Sequence, residues 1–144
     1  MNHLRKYKKL CIESDLSKLQ EIRDYVISAS MRSGFSADIA QNIALAVDEA
    51  CTNLIKYSFN YNTHNKICIA VVVHSKEFNV LISDDGTSFN PTEVPSPDML
   101  EYFRTMKPGG LGIHIMRSVM DDISYISSSP EHPHNTLQLK KYLA

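Results

Sequence analysis

Hydrophobic and polar positions alternate in different rhythms along this chain, and each rhythm predicts an element. From Leu4 to Ile12 the run is basic and β-compatible, an edge strand whose Arg5, Lys6, Lys8 and Lys9 discourage pairing with other chains. Leu16, Leu19, Ile22 and Val26 recur at helical spacing, with Ser14 or Asp15 as the cap and Gly34 as the end. Ser36 caps a second helix whose core stripe is Ile39, Ile43, Val47, Ala50 and Leu54. A polar loop spans Asn60 to Asn65. Ile67 to His74 and Phe78 to Asp84 read as two strands joined by Ser75-Lys76-Glu77, an antiparallel hairpin. Leu111, Ile115, Val119 and Ile123 make a third helical stripe. Ser124 to Ser128 and Thr136 to Leu143 close the chain as two strands around a loop holding Pro130 and Pro133. The order β-α-α-β-β-loop-α-β-β predicts an α+β fold, a two-layer α/β sandwich with helices on one face of a mainly antiparallel sheet.

One stretch breaks the periodicity. Four of the five glycines (Gly86, Gly109, Gly110, Gly112) and four of the six prolines (Pro91, Pro95, Pro97, Pro108) fall between residues 86 and 112. A structureless loop of about twenty residues inside a compact domain is commonly a lid or binding loop, although a variable surface insertion has the same composition. No repeat or linker divides the remainder, so residues 1–144 read as one domain.

Composition narrows the class. Hydrophobic residues make up 43% and charged residues 22%, which excludes a disordered scaffold. Fifteen basic residues against sixteen acidic ones give a net charge of −1, a poor match to phosphate-backbone binding, so no direct nucleic-acid partner is expected. Cys11, Cys51 and Cys68 form no close pair, which argues against a disulfide framework or structural zinc and for a reduced, cytoplasmic protein. No apolar run is long enough to span a membrane, and Met1 to Lys6 has no apolar stretch behind it.

Three constellations could carry chemistry. Glu49, Asn53 and Lys56, at i, i+4 and i+7, share one face of the second helix at the edge of its core stripe. An amide oxygen is a hard Mg²⁺ ligand, an ammonium meets phosphate and a carboxylate accepts a proton. Taken alone, the same residues better suit a solvated helix flank with Glu-to-Lys pairing. Asp84 follows Phe78, Val80 and Ile82 onto the core-facing side of its strand by the two-residue period. A buried carboxylate needs a donor, and the exocyclic amine of adenine is one where guanine presents a carbonyl; an acid opening the turn at Gly86 is the plainer alternative. Gly109-Gly110-Leu111-Gly112 precedes a helix, where small residues and the helix dipole favour phosphate, or provide only a hinge.

Together and in this order, the segments resemble the Bergerat-type ATP-binding fold of gyrase, heat-shock chaperone, histidine-kinase and mismatch-repair ATPases. The closer resemblance is to a small stand-alone branch, the bacterial anti-sigma-factor serine/threonine kinases. Asp48-Glu49-Ala50-Cys51-Thr52-Asn53-Leu54-Ile55 is similar to that branch's N-box and Ile82-Ser83-Asp84-Asp85-Gly86 to its next box. Gly109-Gly110-Leu111-Gly112-Ile113-His114-Ile115-Met116, Met120-Asp121-Asp122 and the closing Asn135 to Leu143 resemble the segments after its lid. The resemblance implies ATP and Mg²⁺ as cofactors, Glu49 as general base, Asn53 as the Mg²⁺ ligand, Asp84 as the reader of the adenine amine and Gly86 as the close approach to the base. It implies Thr136 as support for the base through water, and Gly109, Gly110, Leu111 and Gly112 as the phosphate-holding segment. Lys56 matches a phosphate-contacting position of the histidine-kinase branch, and residues 87–108 match the ATP lid. The chain departs at Ser88, where a second glycine is frequent, and at Asn135, where a glycine usually precedes the last threonine.

The implied function is an ATP-dependent serine/threonine kinase and anti-sigma factor. It would phosphorylate an anti-anti-sigma antagonist, sequester a sigma factor in its other state, and form a homodimer. A nucleotide-sensing anti-sigma or adaptor module without phosphoryl transfer is the alternative, against which the presence of Glu49 speaks. A sensor histidine kinase is disfavoured because no helix with a phospho-acceptor histidine precedes the domain. His132 and His134 around Pro133 read as solvated loop residues, and Cys51 as packed.

Overall fold

The computed structural model describes residues 4–85 and 110–143. Residues 87–108, expected as the lid, lie outside these, as do Gly86 and Gly109. The strands are β1 (Leu4–Lys6), β2 (Leu10–Glu13), β3 (Lys66–His74), β4 (Glu77–Asp84), β5 (Asp122–Ile126) and β6 (Asn135–Tyr142), and the helices α1 (Leu19–Arg32), α2 (Ala37–Asn53) and α3 (Gly110–Val119). The sheet runs β1-β3-β4-β6-β5, with β2 also paired to β3. Every pairing is antiparallel. Helices and sheet form the two expected layers of an α+β fold, with the core between them.

The β3–β4 hairpin sets the frame. Ile67, Ile69, Val71 and Val73 on β3 and Phe78, Val80 and Ile82 on β4 all point into the core at the period of a strand. A two-residue connection joins them, with Ser75 in the left-handed region at φ 55°. Against this face pack Ile22 and Val26 of α1 and Ile43, Val47, Ala50 and Cys51 of α2. Phe35, between the helices, meets Phe78 edge-to-face with ring centroids 5.3 Å apart.

The helix ends follow the sequence with some differences. Ser36 caps α2, its hydroxyl accepting from the Ile39 amide at 3.2 Å. After α1, Gly34 turns the chain at φ 114°, where an L side chain would be strained. Asp15 caps a single 3₁₀ turn, Leu16–Lys18, rather than α1 itself. That turn changes the helical phase, and Leu16 is 45% exposed instead of in the stripe. Ile39 is likewise 37% exposed, while Ala40 beside it is fully buried. The N-terminal strand is two short strands instead of one. Between them the Tyr7 amide donates to the Val71 carbonyl at 3.0 Å. Beyond β2 the Ser14 hydroxyl, buried, donates to the Asn62 carbonyl.

The third stripe needs a larger correction. α3 stops at Val119; Met116 and Met120 are the buried residues here, and Ile123 belongs to β5. The closing strands also begin earlier than expected, at Asp122 and Asn135.

The cysteines correct a second expectation. Antiparallel register puts Cys11 of β2 directly opposite Cys68 of β3, with Cα atoms 4.0 Å apart, and the two form a disulfide. Their 57-residue separation conceals a pairing that only strand register reveals. The inference of a reduced protein from cysteine spacing therefore loses its basis. Thiol titration of the denatured protein without reductant is expected to find one thiol per chain, that of Cys51; three would mean the bond does not form.

Candidate functional site

The site is built from the end of α2 outward. Ala44, Val47, Ala50, Cys51 and Leu54 anchor the helix to the core, so Glu49 and Asn53 emerge at its edge. Glu49 is half-buried, and among the described residues it has no ion pair. Its neighbour Asp48 instead binds Arg23 of α1 at 2.6 Å, tying the two helices together. Burial raises the Glu49 carboxyl above the ordinary glutamate range; the Asp48 charge adds to the shift and the Lys56 ammonium opposes it.

Asn53, one turn further on, is 3% exposed, and its Nδ2 has no hydrogen-bond partner among the described residues. A buried donor left without a partner costs roughly 1–3 kcal/mol. After Asn53 the helix widens into a π turn, Leu54–Ser58, where the Phe59 amide donates to the Leu54 carbonyl at 3.0 Å. Such insertions are frequent at functional sites. This one shifts Lys56 away from strict i+7 placement, yet its charge still acts on Glu49.

Asp84 stands where the strand period puts it, on the core side of β4, and is 4% exposed. Its charge also acts on Cys51, which sits in α2 between Glu49 and Asn53. Ile82 of β4 and Ala50 and Cys51 of α2 belong to one buried core. Burial foremost, with Asp48 and Asp84 adding, pushes the Cys51 thiol far above its ordinary value. Cys51 is therefore packing, as expected, and no nucleophile.

The residue beside Asp84 stands out in the sequence only as a departure from the family pattern, not as part of a site. Asn135 of β6 is its register partner, is 1% exposed, and donates from Nδ2 to Asp84 Oδ1 at 3.1 Å. Thr136 lies next to Ser83 on the opposite face of the sheet, so the structure does not bring it to Asp84. A signal for Asn135 is present in the sequence: counting back by twos from Leu139 and Leu137 reaches it.

Gly110, Leu111 and Gly112 form the first turn of α3, which packs against α2. The described residues contain no cluster of three or more His, Cys, Asp or Glu able to hold a metal. No described helix is long and apolar enough to cross a membrane.

Comparison with known proteins identifies the family. A family model for the histidine kinase-like ATPase domain matches residues 12–141. Serine-protein kinase RsbW of Listeria monocytogenes serovar 1/2a is 32% identical over 96 residues, 64% of this chain and 61% of the relative. The Serine-protein kinases RsbW of Bacillus velezensis and Bacillus subtilis are each 26% identical over 127 residues, 85% of this chain and 76% of each relative. The match thus spans about three fifths of the length of the Listeria relatives. With nine-tenths of its length under the family model and the expected two-layer architecture, the chain belongs to the histidine kinase-like ATPase domain family.

Proposed function

We propose that this chain is an ATP-dependent protein serine/threonine kinase that acts as a cytoplasmic anti-sigma factor. It phosphorylates an anti-anti-sigma antagonist, sequesters a sigma factor when not so engaged, and works as a homodimer. The observation that carries the reading is the buried Asn53 amide at the end of α2, whose nitrogen has no partner among the described residues, together with the buried Asp84 carboxylate at the core-side end of β4. The names of the relatives support the choice of a serine kinase within the family.

In this reading each residue has a separate task. Asp84 accepts from the adenine amine, and Gly86 lets the base approach. An amide whose nitrogen has no partner among the described residues fits beside a phosphate oxygen, and its oxygen is the hard ligand Mg²⁺ takes, so Asn53 holds the metal. Held there with the nucleotide, Mg²⁺ would supply neutralisation of the phosphate charge. Lys56 and the Gly110-Leu111-Gly112 segment at the start of α3 hold the phosphates. Glu49 takes the proton of the attacking Ser or Thr hydroxyl. That oxygen bonds the γ-phosphorus while the bond to the β–γ bridging oxygen breaks, and ADP leaves. Partially raised basicity suits Glu49 to this step, since a base works best with a pKa nearer the working pH.

Titration calorimetry with ATP and GTP, with and without Mg²⁺, followed by transfer of labelled γ-phosphate to an antagonist protein, tests the proposal. Mg²⁺-dependent ATP binding, weaker GTP binding and label on a Ser or Thr are expected. No ATP binding in any condition overturns the nucleotide site. ATP binding without transfer overturns the kinase and leaves a nucleotide-sensing binding module.

A further inference from the structure

The Asn135 side chain is held at both ends, and the direction of its amide is fixed by chemistry. At one end its Oδ1 accepts from the Ser128 backbone amide at 2.9 Å. A backbone N–H only donates, so the oxygen must face Ser128 and the nitrogen must face Asp84. At the other end Nδ2 donates to Asp84 Oδ1 at 3.1 Å, both residues being almost fully buried. The arrangement spans the loop between β5 and β6, which carries Pro130 and Pro133 and is closed by paired amides of Ser129 and His132. Asp84 is therefore not a carboxylate free to rotate at the end of a strand. One of its oxygens is held by a neighbour that is itself held by a loop backbone.

We infer that Asn135 is the positioning residue for base recognition: by orienting the Asp84 carboxylate it creates the preference for purines that carry an exocyclic amine at C6. The inference rests on the nucleotide reading above. An oriented acceptor rewards a donor only along one direction, so losing the orientation costs the amine-bearing purine and leaves an amine-free purine untouched. A site whose carboxylate is not so oriented would bind both with similar affinity.

The probes are ATP and purine riboside triphosphate, which lacks only the amine. Calorimetry on the full chain is expected to give the wild type a preference for ATP of about 10- to 100-fold, the worth of one buried charge-assisted hydrogen bond. In Asn135→Ala the preference is expected to fall to about 3-fold or less, with affinity for purine riboside triphosphate within about 2-fold of wild type. Asn135→Ser keeps a small donor on the same side of the strand and serves if the alanine variant does not fold; an intermediate preference is expected. Equal losses for both probes would mean that Asn135 only supports the fold, and an unaltered preference would mean that it does not orient Asp84. Either result overturns the inference while the nucleotide site stands. Absence of ATP binding by the wild type overturns both.

Discussion

Replacing Glu49 with Gln is expected to lower the rate of phosphoryl transfer by about 10²–10⁴, the usual worth of a general base, with ATP affinity within about 2-fold of wild type. Gln keeps the shape and loses only the proton-accepting oxygen. The fold should not suffer. Burial raises the Glu49 carboxyl in the folded chain, so the folded state opposes its charge, and that opposition is fully present once the pH exceeds the raised value. At neutral pH the Gln variant is relieved of it, and its melting temperature is expected to equal or exceed that of the wild type. The pH profile separates a base from a mere contact. Transfer by the wild type should rise with pH through a midpoint above the ordinary glutamate value, because only the deprotonated carboxylate accepts a proton. Asp48→Asn removes a charge that raises the midpoint and should move it down; Lys56→Met removes one that lowers it and should move it up. A Gln variant that transfers at the wild-type rate, or midpoints that ignore both neighbours, would rule Glu49 out as the base.

The parts of this site that are legible in the sequence are those fixed by local period. Asp84 is found because Phe78, Val80 and Ile82 establish a two-residue rhythm that β4 keeps to its end. Glu49 and Asn53 are found because α2 is regular from Ser36 through Asn53. Expectation and structure part where the period changes. Leu16 falls out of the stripe at a 3₁₀ turn, and Ile123 continues the phase of a helix that has already ended at Val119, across a strand boundary. Lys56 keeps its influence on Glu49 but sits in a π turn that no composition signals. What depends on pairing between distant strands is not legible at all. The Cys11–Cys68 bond requires β2 and β3 in register. The core-facing side of Asn135 follows from the period of Leu137 and Leu139, but its place directly opposite Asp84 requires the register of β4 and β6. In both cases a one-residue shift would place the side chain on the other face.

The same register makes the Asp84→Asn variant the most demanding test of the base site. The Asn135 amide seen in the structure and the proposed adenine amine both donate to this carboxylate. A carboxylate can accept both, whereas an amide has one oxygen. Whichever way the substituted amide turns, one of its N–H groups faces another donor, since Asn135 cannot turn over without abandoning the Ser128 amide. Loss of a charge-assisted acceptor and the donor–donor contact together are expected to weaken ATP binding by about 100-fold or more. They are also expected to abolish the preference over GTP, whose carbonyl at that position suits the new N–H. Exchanging the two residues restores the order of donors and acceptors. With Asn135→Asp added to Asp84→Asn, the carboxylate now on β6 accepts from both the Ser128 amide and the amide at position 84, whose oxygen again faces the base. The double variant is expected to regain about 10-fold in ATP affinity over Asp84→Asn alone, a coupling that appears only if the two side chains act as one unit. Wild-type affinity and selectivity in Asp84→Asn would place the base elsewhere. A double variant no better than the single one would mean that Asn135 and Asp84 touch without jointly reading the nucleotide.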